Sequence, residues 1–365
     1  MKKRTLFFST YLLLILTLLF TIKSNSQIIV DNNIGVNAPY SDLQTAIDNA
    51  TANDVIYVHP SETNYGNITI DKPLTIIGKS HSQIGVEISR VENVTITPEG
   101  SGSTIKGLRI TTSVYLNGVN GTSFNSNAQM VENITLENCK VYNVIYADWI
   151  RHYNFDETFQ NGVAANNITI IGNVINKLLL QATNLTISNN WFWGRVTVWR
   201  PDSTLINHCI FTGSNIINNG NAITKVLVQN CLFLANSSNN KFLHTNESQY
   251  DNCLTYNYGS GSYDLSTTAT GMLTNNMLFN TNPLFKDLSN GNPTTLYNEN
   301  DYSLQVSSPA IGTGLNGENI SINGNGFTFN TIGSPSGYPS ITITNSTAII
   351  PNNGTLNITI LGKSN

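Results

Sequence analysis

The chain has 365 residues, of which 18 are basic and 22 acidic, and only 11% are charged. A formal charge of −4 excludes the broad basic footprint that binding to nucleic acid requires. A length of this order ordinarily predicts two globular domains, but a repeat architecture grows by adding units and needs no second core.

Residues 1–26 read as a cleavable leader. Lys2, Lys3 and Arg4 precede a mostly apolar run over 6–22, and Ser24-Asn25-Ser26 places small residues before a cut at Gln27. Removal takes four of the 18 basic residues and no acid, leaving a balance of −8. The expected location is extracellular or periplasmic, without stable membrane insertion. After the leader, Ser41 or Asp42 is placed to cap a short helix carrying Leu43, Ala46, Ile47 and Ala50 on one side. Such a helix is the lid that a stack of strands needs over its first exposed edge. Strands are predicted near residues 94–97, 105–111 and 114–116.

Between residues 146 and 163 the regular pattern breaks. The stretch ADWIRHYNFDETFQNG concentrates Trp149, Arg151, His152, Tyr153 and several acids, and insertions in repeat proteins map to loops, often on a binding face. The alternative is a loop that folds its aromatic residues onto the repeats for stability.

Residues 184–280 repeat themselves. LTISNNWFWG (185–194), TLINHCIFTG (204–213), VLVQNCLFLA (226–235), YDNCLTYN (250–257) and LTNNMLFN (273–280) each run from an alternating strand into a polar turn and out into a second strand. The turn falls at Asn189, His208, Asn230, Asn252 and Asn275, with Asn138 and Gly172 in the same slot upstream. Steps of about 22 residues with period-2 alternation define a β-solenoid: a right-handed parallel β-helix of three-strand coils, with a capping helix before it and a short β appendage after it. In VLVQNCLF the inward residues are expected to be Val226, Val228, Cys231 and Phe233. Asn tolerates the left-handed backbone that the turn requires, and stacked Asn side chains are expected to bond coil to coil. All four cysteines follow the turn residue directly, which predicts one inward column of free thiols in preference to disulfides. Asn-x-Ser/Thr sequons such as Asn67, Asn133, Asn167 and Asn184 open strands and are read as coil chemistry. Two positions after each turn stand Trp191, Ile210, Leu232, Leu254 and Met277, an apolar row that needs a cover. The two C-terminal strand patterns, over 341–350 and 356–361, are the expected cover. Residues 324–339 read as a linker or an irregular wrap.

Two flanking segments carry a family resemblance. Asn53-Asp54-Val55-Ile56 after the helix, and a blurred Glu62-Thr63-Asn64-Tyr65, resemble the opening of pectate-lyase-like β-helix proteins. Asn282-Pro283-Leu284-Phe285, Asp301-Tyr302-Ser303-Leu304 and Ser308-Pro309-Ala310-Ile311 resemble the closing segment of many bacterial extracellular β-helix proteins, with Asn282 in place of Asp. The resemblance spans most of residues 40–314. It implies the fold, and it admits a polysaccharide lyase that eliminates across a uronate, some members of the fold recruiting Ca²⁺. Fold analogy is associational, and no lyase signature maps onto this chain residue by residue. The candidates for such chemistry are Arg195 or Lys241 as base and Arg151 or Arg200 for the carboxylate. Trp149, Trp199, His152 and His244 are the candidate substrate contacts. Zinc-type clusters, phosphate loops and nucleophile elbows are missing from the sequence, and no metal ligands are assigned. The expected partner is a polysaccharide or cell-surface glycan bound by a monomer, with a non-enzymatic surface or matrix binding protein as the alternative.

Overall fold

The computed structural model describes residues 27–82, 88–116, 130–147, 165–199, 204–212, 226–235, 249–258, 273–346 and 358–364. Its main body is a 22-stranded parallel sheet system wound into a β-helix. The helix Leu43–Asn49 caps the first coils, with Asp42 accepting a hydrogen bond from the Thr45 amide at 2.7 Å. Leu43, Ala46 and Ile47 face the core. Asn53 follows with φ 74°, a left-handed conformation that Asn tolerates. Asp54 then closes the turn by accepting from the amide and hydroxyl of Thr51.

Each coil runs through a strand such as Val226–Gln229, a sharp turn, and a second strand such as Leu232–Ala235. A third face is seen in Val196–Trp199, where Val196 and Val198 point into the core as expected. The turn residues Gly107, Asn138, Gly172, Asn189, His208, Asn230 and Asn252 all have φ between 51° and 69°. Their amides form the ladder: Asn189 to the Asn207 carbonyl at 3.1 Å, His208 to Gln229 at 3.2 Å, and Asn230 to Asp251 at 3.2 Å. In the last coil the turn lies at Asn276 (φ 51°), not Asn275, because Leu273–Asn275 remains paired with Gln249–Asp251. Met277 therefore packs against the core, and Leu278 takes the outer position.

The inward column after the turn is Leu108, Cys139, Asn173, Asn190, Cys209, Cys231 and Cys253, all fully buried. The four cysteines are free. Burial pushes the Cys139 thiol up to about 12, so these thiols serve as small apolar fillers. The asparagine ladder lies in this column: Asn173 Nδ2 donates to Asn190 Oδ1 at 3.0 Å, and Asn190 Nδ2 to the Ile170 carbonyl at 2.7 Å. One step further, Phe192, Phe211 and Phe233 stack at 5.2 and 4.9 Å. Each such ring contributes roughly 2–3 kcal/mol of burial.

Of the turn side chains, Asn230 bonds to the preceding coil as expected, its Nδ2 donating to Asn207 Oδ1 at 3.1 Å, but the turns bond mainly outward, to the returning chain. Asn252 Nδ2 donates to the Thr313 carbonyl and the Leu315 amide to Asn230 Oδ1. Asn189 Nδ2 donates to the Ile322 carbonyl. Further along, Phe327 packs on Gly172, Gly333 on His81, and Pro335 on Gly107. Residues 313–338 thus form a strap that retraces the β-helix from its last coil to its first, resolving the linker-or-wrap alternative. The same return covers the apolar row. Trp191, Ile210, Leu232 and Leu254 are buried with Phe285, Tyr302, Ala310, Ile320, Ile322 and Phe329. The cover is therefore residues 285–329, not the C-terminal strands. Phe285, Tyr302 and Ala310, one from each of the three closing motifs, are buried there, so those motifs act as plugs for the row. The C-terminal strands Pro339–Ser346 and Ile358–Ser364 pair with each other as an antiparallel hairpin.

Candidate functional site: a cationic column

The row two positions after the turn changes character along the β-helix. From Val174 onward it is apolar and lies under the cover. In the three preceding coils it holds Arg90, Arg109 and Lys140, in register as Cα partners on adjacent strands. The spacing between neighbours is therefore about 4.8 Å. Like charges facing each other on adjacent strands repel, and among the described residues no carboxylate pairs with any of the three.

Neighbouring groups fix this arrangement. Arg109 Nε donates to the His81 carbonyl at 2.7 Å. Its guanidinium carbon lies 5.8 Å from the Tyr142 ring centre, and Lys140 Nζ lies 5.2 Å from it. Tyr142 is 40% exposed and meets Trp193 edge-on at 6.2 Å. Burial holds the Arg109 guanidinium below its ordinary value; the Tyr142 phenol opposes this and Arg90 adds to it. Three buried polar atoms on the first coil, Ser80 Oγ, His81 Nε2 and Arg90 Nε, have no hydrogen-bond partner among the described residues. Cations beside partly exposed aromatic edges can hold an acidic sugar: the charges meet its anion, and the rings meet its apolar face.

Of the residues singled out by sequence, Arg195 is partly buried and donates from Nε to Thr197 Oγ1 at 2.7 Å. It follows Trp193 by two residues and so adjoins the aromatic edge of the column. Trp199 ends its strand opposite Gln181. Arg151, Arg200, Lys241, Trp149, His152 and His244 lie outside the described residues, as does the insertion that carries three of them. The column itself escaped the sequence reading, although its signal was present: Arg109 and Lys140 stand two positions after Gly107 and Asn138. His208 is structural, as its slot predicted. Its Nδ1 and Nε2 meet the Ser321 carbonyl and Glu318 Oε2, both at 2.9 Å, and so pin the strap. Among the described residues, no group of His, Cys, Asp and Glu could hold a metal ion, and no helix is long and apolar enough to cross a membrane. Comparison with protein-family models and with curated proteins gives no match.

Proposed function

We propose that this is a secreted β-helix protein that binds acidic polysaccharide along its cationic column. The observation that carries the reading is the in-register stack of Arg90, Arg109 and Lys140 without an acidic partner among the described residues, beside Tyr142 and Trp193. The leader-like residues 1–26 and the resemblance to bacterial extracellular β-helix proteins support the location and the glycan class. Electrophoresis through gels containing polygalacturonate tests the proposal. The wild type is expected to be retarded, and an Arg109→Ala/Lys140→Ala variant with unchanged melting is expected to migrate freely. Equal migration of the two proteins would sink it.

A second reading is uronate elimination. It draws on Arg109, whose charged form burial disfavours, as the place where a proton-abstracting group would come from. Incubation with uronate polymers, followed by ultraviolet detection of unsaturated product, separates it from binding alone.

A further inference from the structure

We infer that the anion recognised by the column is a sulfate ester and not a uronate carboxylate. This rests on the acidic-polysaccharide reading and narrows it. The charged groups of the column are donors only. Arg90, Arg109 and Lys140 have no accepting atom, and Arg90 Nε is buried with no hydrogen-bond partner among the described residues.

Two geometric arguments favour a tetrahedral group. A carboxylate presents two coplanar oxygens, which match the fork of a single guanidinium. Here the cations succeed one another along the axis at about 4.8 Å. An anion that meets three cations set off from one another along the axis is better served by oxygens in more than one plane. A sulfate ester offers three such oxygens. Hydration points the same way. Arg109 is partly buried, and a guanidinium is already weakly hydrated. A sulfate monoester, a weaker base than a carboxylate, gives up its own water at lower cost when it meets such a group.

Titration calorimetry can decide the matter with dextran sulfate and carboxymethyl dextran matched in charge per sugar, and with unmodified dextran as control. The sulfated polymer is expected to bind at least about tenfold more tightly than the carboxylated one, a margin near 1.4 kcal/mol. Arg90→Lys keeps the charge but removes the fork, and is expected to abolish that margin without altering melting. Lys286→Ala, on the closing segment, is expected to preserve it. Equal or tighter binding of carboxymethyl dextran overturns the inference while leaving the acidic-polysaccharide reading in place. Binding of neither charged polymer overturns both, and an Arg90→Lys variant that keeps the full margin overturns the role of the guanidinium.

Discussion

At the scale of single residues, two histidines and two glycines hold the strap. A Cβ added at Gly324 would strike the His208 ring, and one added at Gly333 would strike the His81 ring, so the chain crosses both rings at glycine. The two histidines differ in surroundings. His208 has an acceptor at each nitrogen. His81 is enclosed by Ser82, the strap residues Ile332 and Gly333, and the Asn138 carbonyl, with Arg109 and Lys140 nearby. Burial first, and then Lys140 and Arg109, hold its pKa well below the ordinary 6.5. The neutral ring therefore belongs to the folded state, while the unfolded chain takes up a proton as pH falls through about 6.5. Stability contributed by His81 is complete above that pH and is lost progressively below it. Chemical unfolding at pH 7.5 and at pH 5 is expected to show the loss, and His81→Asn to flatten it. An unchanged pH slope in the variant would remove His81 as the cause.

At the scale of elements, one strand pattern serves two environments. The same row carries cations in three coils and apolar residues, from Val174 to Leu278, in the next six. The division follows the reach of the cover, since Phe285 and Tyr302 pack on Trp191 and its neighbours. Ser308 Oγ donates to the Pro283 carbonyl and Phe285 pairs with Leu304, which ties the closing motifs to one another. Truncation after residue 338 removes only the hairpin and is expected to leave melting and solubility nearly unchanged. Truncation after residue 282 strips the cover from Trp191, Ile210, Leu232 and Leu254. That variant is expected to aggregate, because an exposed apolar row of roughly 15–20 Å is an adhesive surface. Light scattering on both truncations distinguishes a cover at 285–329 from one at the hairpin.

Considered whole, the molecule is an anion with a local cationic face. A formal charge of −4 opposes a polyanionic ligand at long range, whereas three aligned cations attract it at contact. Binding is expected to weaken steeply with ionic strength between about 0.05 and 0.5 M, as screening shortens to a few ångströms. Salt-independent retention would assign the affinity to the aromatic edges of Tyr142 and Trp193 instead. The strap adds to the same whole-molecule logic, since it joins the last coil to the first and so couples coils that otherwise touch only their neighbours.

The sequence by itself determined the β-helix, the inward phase of Val226, Val228, Cys231 and Phe233, the reduced thiols and the apolar row, because each is written in local alternation and a short, nearly constant step. It misplaced the last turn by one residue, since Asn275 and Asn276 are interchangeable as letters and only strand pairing distinguishes them. Tertiary structure alone decided which segment covers the row, because residues 285–329 and the C-terminal strands are both apolar enough to do so. Tertiary structure also assembled the cationic column. Gly107, Asn138 and Gly172 are separated by 31 and 34 residues, so the step there is longer than the roughly 22 of the later coils and conceals the register. Arg90, Arg109 and Lys140 become neighbours only when the strands beneath them hydrogen-bond side by side.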